Sequence, residues 1–252
     1  MSVYERFAWF YTKGPYPQYS ERMAETLPSV LERFGARPQA ILDVACGEGT
    51  FAVAMAKKGF HVTGVDRSSQ MLKFARERAE RENVQVEFFL QDMRSLSFGE
   101  KFDLVTCWYD SLNYLLELKD LEGTFAGVYR ALRADGLFIF DMNTVYGLAV
   151  GWQRHPSLVQ QDTPEIFEVH RHEYDFERNL ATAIITGFVK ERNKWVRIDE
   201  KHYERGYSLG DIRECLRKSR LKELSCWGNL QDMSELEPHS GRVYFVMKKE
   251  KG

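Results

Sequence analysis

The stretch Asp43-Val44-Ala45-Cys46-Gly47-Glu48-Gly49-Thr50 decides how the rest of this chain is read. It continues the short apolar run Ala40-Ile41-Leu42 and leads into Phe51-Ala-Val-Ala-Met-Ala-Lys-Lys58, a helical pattern that stops at Gly59. Glycines at a strand-to-helix junction let the backbone turn tightly and approach a ligand without interference from Cβ atoms. His61 to Val65 reads as the next strand, and Asp66 stands at its end, seventeen residues after Gly49. A carboxylate there can accept both hydroxyls of a ribose, which is how doubly wound sheets hold nucleoside cofactors.

Outward from this unit the alternation repeats. Ser68 is placed to cap a helix through the charge-paired segment Arg76 to Glu82. A third strand is expected over Val84–Leu90, a fourth over Phe102–Cys107 and a fifth over Gly136–Met142. Between the last two lies a helix over Leu121–Leu132, followed by a tight turn at Ala134-Asp135-Gly136. Short strands alternating with helices predict a parallel sheet built from βαβ units.

After Asn143 the pattern changes. A polar loop with Gly147, Gly151 and Pro156 leads to three long alternating runs near 165–176, 180–190 and 195–205. Hairpin-length loops, Glu177-Arg-Asn179 and Glu191-Arg-Asn-Lys194, separate them, so an antiparallel meander is expected here. Ser208 then caps a helix to about Ser219, and strands near 222–227 and 242–249 close the chain.

Composition bounds the function. The 252 residues carry 35 Lys+Arg against 37 Asp+Glu, so there is no global attraction to nucleic acid or anionic membranes. With 44 % hydrophobic residues the chain is too apolar for a disordered protein. Cys46, Cys107, Cys215 and Cys226 lack CxxC spacing, which speaks against a disulfide framework, a zinc knuckle or an iron–sulfur site. The N-terminus carries Glu5 and no long apolar run, no stretch reaches membrane-helix length, and a cytoplasmic protein is expected.

The glycine loop by itself is ambiguous, because with Ala52 it also satisfies G-x-G-x-x-G/A, the dinucleotide fingerprint. Asp43, four residues before Gly47, favours a different ligand. Its carboxylate is a poor neighbour for a pyrophosphate and a good one for the ammonium of an amino-acid-like group. Gln91-Asp92-Met93, at the end of the third strand, puts a carboxylate beside an apolar side chain, suited to the edge and face of an adenine.

Together these residues resemble a class I S-adenosylmethionine-dependent methyltransferase over about Gln39 to Asn143. Asp43 to Gly49 matches the glycine-rich first motif, Asp66 the ribose-binding acid, and Asp92-Met93 the adenine-contacting pair. Arg133-Ala-Asp-Gly-Leu137 matches the turn before the fifth strand, with Ala134 for the usual proline and Leu137 for the second glycine. The resemblance implies an α/β, Rossmann-like, seven-stranded mixed sheet of order 3-2-1-4-5-7-6 with its seventh strand antiparallel. The antiparallel β-meander is then an insertion after strand 5.

Residues 1–38 are expected as an N-terminal helical lid, 39–143 as the cofactor-binding core, 144–206 as the insertion covering the acceptor site, and 207–252 as the rest of the core. Tyr4-x-x-Phe7-Ala8-x-x-Tyr11 is similar to a lid segment of small-molecule members, though Thr12 stands where they have Asp. An ordinary amphipathic helix burying Phe7, Phe10 and Tyr11 would show the same pattern.

The resemblance implies S-adenosyl-L-methionine as cofactor, with S-adenosyl-L-homocysteine as product. Its expected contacts are Tyr11, Asp43, Ala45, Gly47, Gly49, Asp66, Arg67, Asp92, Met93 and Trp108. The insertion resembles that of glycine and amino-sugar N-methyltransferases and implies a small-molecule acceptor, with a nitrogen as the methylated atom.

Around the acceptor, Cys107-Trp-Tyr-Asp-Ser-Leu-Asn-Tyr114 follows the fourth strand, where open sheets bind ligands. It lacks the motifs of nucleobase-amine and cytosine-C5 enzymes. Asp110, Tyr11 and His170 are the candidate catalytic groups, although Asp110 or Ser111 would equally serve as a helix cap. Ile166, Glu168, His170, His172 and Tyr174 share one strand face, while Tyr203, Arg205 and Tyr207 end the meander and are expected to return toward the pocket. No third ligand accompanies His170 and His172, so no metal is expected. Acids outnumber bases over 160–206, which disfavours nucleic acid, and the long β-ribbon offers a contact for a homodimer. A tRNA or protein acceptor, a nicotinamide oxidoreductase and a non-catalytic cofactor-binding protein remain the alternatives.

Overall fold

The computed structural model describes residue 4 and residues 7–192 and 194–250. Residues 1–3, 5 and 6 of the expected lid, Asn193 of the second hairpin loop and residues 251–252 lie outside the described residues.

Two helices open the chain, α1 (Phe7–Lys13) and α2 (Pro17–Arg33). Pro17 suits the first turn of α2, where its missing N–H costs nothing. Met23, Leu27, Val30 and Leu31 form the buried stripe of α2 at helical spacing. Five parallel strands follow: β1 (Ala40–Val44), β2 (His61–Asp66), β3 (Glu87–Leu90), β4 (Phe102–Cys107) and β5 (Leu132–Asn143). Their crossovers carry α3 (Thr50–Lys57), α4 (Ser69–Arg81) and α5 (Leu118–Ala131).

The strands alternate between two cores, one on each face. Ile41, Leu104, Ile139 and Val246 pack with α2 and α3. Leu42, Val105, Phe138, Phe140 and Phe245 pack with α5 and with α6 (Leu209–Lys218). Such runs, buried on both sides, are what a parallel sheet between helical layers requires.

Four strands interrupt the sheet after β5: β6 (Ser157–Asp162), β7 (Ile166–Asp175), β8 (Leu180–Glu191) and β9 (Lys194–Arg205). They form a separate antiparallel sheet in the order β6-β7-β8-β9. The chain then returns through α6 to β10 (Leu221–Trp227) and β11 (Arg242–Lys249). The main sheet runs β10-β11-β5-β4-β1-β2-β3, with β11 antiparallel to β5, so the expected order and the direction of the seventh strand both hold.

Three expectations are corrected. The third strand begins at Glu87, because Val84 still closes the end of α4, its N–H donating to the Ala79 carbonyl past a left-handed Asn83. The fifth strand pairs from Leu132, and Arg133 to Gly136 bulges out of it, since Phe102 faces Leu132 while Leu104 faces Leu137. The meander gains a fourth strand, β6, which reads as loop because its SLVQQD sequence is polar and Val159 is exposed.

Helix α1 lies against the inner face of the inserted sheet. Phe7, Phe10 and Tyr16 pack on Ile166, Ile185 and Val189. A Cβ on Gly187 would sit 2.7 Å from the Phe10 ring, so only glycine lets that ring rest on β8.

Candidate active site

Two cavities open beyond the carboxyl ends of the parallel strands. The first is an open cleft built around the loop between β1 and α3. Its lining includes nine of the ten residues expected for the cofactor, Tyr11, Asp43, Ala45, Gly47, Asp66, Arg67, Asp92, Met93 and Trp108; the tenth, Gly49, shapes the loop behind them.

The loop needs three left-handed residues, Ala45 (φ 56°), Gly47 (φ 55°) and Gly49 (φ 82°). A Cβ on Gly49 would also meet that of Ala75 at 2.9 Å. Gly49→Ala is therefore expected to lose about 2–3 kcal/mol of stability by chemical denaturation, from left-handed strain plus crowding.

Asp66 ties the loop to β2. Its Oδ2 accepts the Gly47 N–H at 2.9 Å and its Oδ1 accepts the Ser68 N–H at 2.8 Å. The carboxylate lines the cleft, and its oxygens have acceptor capacity beyond these two amides. Burial raises the Asp66 pKa, and the two amides oppose that rise.

Asp43 is buried at the end of β1 and accepts a hydrogen bond from Thr106 Oγ1 at 2.9 Å, across the β1–β4 pair. Burial pushes its carboxyl up to about 8, the Thr106 bond pulls it down, and the Asp66 charge adds to the rise. Asp92 caps the short 3-10 turn Met93–Ser95 and is bound by the Arg94 guanidinium, with Nη2 at 2.6 Å from Oδ2. That partner holds its carboxyl below the usual range and was not foreseen from sequence. Arg67 is exposed at the rim.

The residues present fit S-adenosylmethionine. Asp66 can take ribose hydroxyls, Asp43 an ammonium, and Met93 an adenine face. Trp108, 4 % exposed and edge-on to Phe51, lines the cleft with an indole N–H that has no partner among the described residues.

The second cavity lies between this cleft and the inserted sheet. The two share four lining residues, Tyr4, Tyr11, Tyr109 and Tyr114, a collar of phenols between the chambers. Burial raises the pKa of all four, Tyr109 to about 12, so they remain neutral hydroxyls.

Tyr4 Oη lies 3.1 Å from Tyr114 Oη, which is 2.9 Å from His202 Nδ1. His202 Nε2 contacts Glu200 at 3.0 Å, and Glu200 accepts the N–H groups of Tyr4 and Phe7 at 3.2 and 2.9 Å. The N-terminal segment is thus pinned to β9.

His170 lines the same cavity, with Nε2 2.5 Å from Glu168 and 3.1 Å from Tyr16. Tyr16 also donates to Glu168, and Gln161 donates to its other oxygen at 2.5 Å. His172 stays neutral as burial lowers its pKa, and it is 3.0 Å from the His155 carbonyl. Among the described residues, no group of three or more His, Cys, Asp or Glu is placed to hold a metal ion.

Asp110 lies in the cavity wall at the foot of a strained turn, where Tyr109 (φ 57°) and Asp110 (φ 54°) are both left-handed. Asp141, at the end of β5, holds the turn by accepting the Tyr109 and Asp110 N–H groups at 2.7 and 3.0 Å. Asp110 makes no side-chain helix cap; its Oδ1 accepts Arg242 Nη2 at 2.5 Å, and Arg242 also pairs with Asp141. The guanidinium lies over the rings of Tyr19 and Tyr109.

The meander's end has the opposite parity to that expected. Tyr203 points outward at 40 % exposure, Arg205 binds the Leu116 carbonyl at 2.7 Å, and Tyr207 donates to that of Leu115. The residues that face the cavity are His202 and Glu204. A period-2 reading of β9 from Glu200 finds both, whereas Arg242, the first residue of β11, carries no sequence signal.

A cleft for an amino-acid-bearing nucleoside at the switch point of this sheet, joined to a second chamber, defines a group-transfer enzyme. Residues 41–136 match the family described as "Methyltransferase domain". A Geobacillus sp. (strain WCH70) protein with a provisional methyltransferase name is 35 % identical over 98 % of this chain and 100 % of its own length. The crystal structure of an S-adenosylmethionine-dependent methyltransferase from Clostridium acetobutylicum superposes with a TM-score of 0.83 at 27 % identity, covering 99 % of this chain and 100 % of that one. A Streptomyces fradiae dTDP-3-amino-3,6-dideoxy-alpha-D-glucopyranose N,N-dimethyltransferase is 29 % identical over 48 % of this chain and 46 % of its own. The chain belongs to the S-adenosylmethionine-dependent methyltransferases.

Proposed function

We propose that the enzyme methylates a nitrogen of a small polar acceptor seated in the second cavity. The observation that carries this reading is the tyrosine collar, because among the described residues those four phenols line both cavities. The amino-sugar N-methyltransferase relative supports the choice of nitrogen.

When bound, the cofactor supplies a methyl group already activated on a sulfonium. The protein's task is then to aim the acceptor and exclude water. Asp43 would hold the cofactor's ammonium and Asp66 its ribose. Trp108 would offer its unpartnered N–H within the cleft. Tyr11 keeps its proton because burial raises its pKa, so its place in the collar is that of a hydrogen-bonding wall. His170 is held by Glu168 and Tyr16 and would contribute to acceptor orientation.

The test is methyl transfer from labelled S-adenosylmethionine to panels of amino sugars, amino acids and simple amines, with tRNA and protein extracts in parallel. Label confined to tRNA or protein would overturn the reading.

Cofactor affinity should depend on pH through Asp43. Its carboxyl is raised to about 8, so below that pH an incoming ammonium must displace a proton. Affinity for S-adenosylhomocysteine is expected to rise by up to about tenfold per unit from pH 6 toward 8 and then level off. Asp43→Asn should flatten that slope, read by calorimetry. In the free protein the same raised pKa has the opposite consequence: folding binds a proton between about 4 and 8, so this group's contribution to stability falls as pH rises.

A further inference from the structure

Glu204 is a buried carboxyl that makes no ion pair of its own among the described residues; the nearest cation, Arg242, is held by Asp110 and Asp141. It is 3 % exposed at the cavity wall, and Asn143 Nδ2 donates to its Oε2 at 2.8 Å. Its other neighbour is Asp110; burial and then the Asp110 charge raise the Glu204 carboxyl well above the usual carboxylate range, so the pair carries a proton. Asp110 and Asp141 in turn share the Arg242 guanidinium. Three carboxyls, one guanidinium and one shared proton leave this buried group with a net charge of about −1.

The surroundings do not neutralise it. Among the described residues lining the cavity, Arg242 is the one lysine or arginine. His202, two positions back on β9, already contacts Tyr114 and Glu200 through its two nitrogens. The same cavity is lined by Tyr4, Tyr109 and Tyr114, each of which feels the charges of both Asp110 and Glu204, and aromatic walls attract organic cations through their ring faces.

Resting on the methyl-transfer reading of this site, we propose that the acceptor binds as an ammonium ion on the Asp110–Glu204 pair, and that Glu204 takes its proton. On binding, the ammonium N–H groups replace the shared proton, which leaves to solvent. Glu204, now a carboxylate beside the neutral Asn143, accepts one N–H proton and frees the nitrogen lone pair. Asp110 is less available because Arg242 holds it. The lone pair then forms the new N–C bond while the methyl's C–S bond breaks, its electron pair staying on sulfur. An alcohol acceptor brings no charge to compensate the group.

The experiment titrates cyclohexylammonium chloride and cyclohexanol into the complex with S-adenosylhomocysteine by calorimetry, in two buffers of different ionisation enthalpy. S-adenosylhomocysteine affinity, measured first for every variant, certifies the fold and the donor cleft. The amine should bind at least tenfold more tightly than the alcohol and release about one proton at pH 7. Glu204→Gln should abolish the release and bring the two affinities within about threefold, and Asp110→Asn should likewise cut the preference. Equal binding of amine and alcohol, no binding of either, or a Glu204→Gln variant that keeps both effects would overturn the proposal. Amine binding by a protein that does not bind S-adenosylhomocysteine would sink the methyl-transfer reading while supporting the cation site.

Discussion

Replacing Asp66 by alanine is expected to weaken S-adenosylmethionine binding by at least about 100-fold. Two ribose hydroxyls donating to a carboxylate contribute about 1.5–3 kcal/mol each, and tenfold in affinity is about 1.4 kcal/mol. The loop bears a second loss, because the Gly47 and Ser68 amides would lose their acceptors. Asp66→Asn separates the two effects. It keeps one acceptor oxygen and nearly the same volume, so its loop should stay closer to the native shape while cofactor affinity still falls. Unchanged affinity for Asp66→Ala, by calorimetry or equilibrium dialysis, would remove Asp66 from the ribose site.

Arg242→Met should cost about 3–5 kcal/mol of stability, because it strips the cation from two buried carboxylates while leaving both behind. For a chain of this length that is a fall in Tm of roughly 10 °C. The penalty has a defined pH dependence. Asp110 already sits near 6 through burial, with Arg242 opposing the rise, so removing the guanidinium pushes it higher. A carboxyl whose folded pKa is raised binds a proton on folding. Its stability is therefore greatest below the unfolded value near 4 and declines as pH climbs toward the folded value. The deficit of Arg242→Met relative to the parent should be small at pH 5 and large at pH 8. A deficit independent of pH would mean that packing on Tyr19 and Tyr109, not charge, is what Arg242 supplies.

Most of the main sheet was legible because its signals are local. Asp43 to Thr50 couples a strand end to a helix start, Asp66 marks the next strand end, and the buried runs 102–107 and 136–142 have no reading except as interior strands. What failed was either polar or left without local punctuation. Strand β6 has an exposed Val159 and two glutamines, so nothing in its hydropathy separates it from loop.

In the site, loop residues were found because motif and backbone geometry coincide. The wall of the second cavity was legible only in part. Side chains of Asp110, Asn143, Glu204 and Arg242 meet from the turn after β4 and from β5, β9 and β11, and no spacing in the chain announces that meeting. The misread parity of β9 shows the cost of a one-residue slip: it exchanged Tyr203 and Arg205 for His202 and Glu204.

The register of the inserted sheet has a consequence for how such an enzyme can change its acceptor. Its inner face is graded row by row, from Ile166–Val189–Val196, through His170–Ile185–Glu200 and His172–Ala183–His202, to Tyr174–Ala181–Glu204. The apolar end holds α1 together with Ile185 and Glu200, and His170, His172, Ala183, Ile185, His202 and Glu204 front the cavity. Adhesion to α1 and lining of the cavity therefore overlap at the His170–Ile185–Glu200 row and part beyond it. If the second cavity seats the acceptor as proposed, substitutions at His172 and Ala183 would reshape it while the apolar docking end, the parallel sheet and the nucleoside cleft stay as they are.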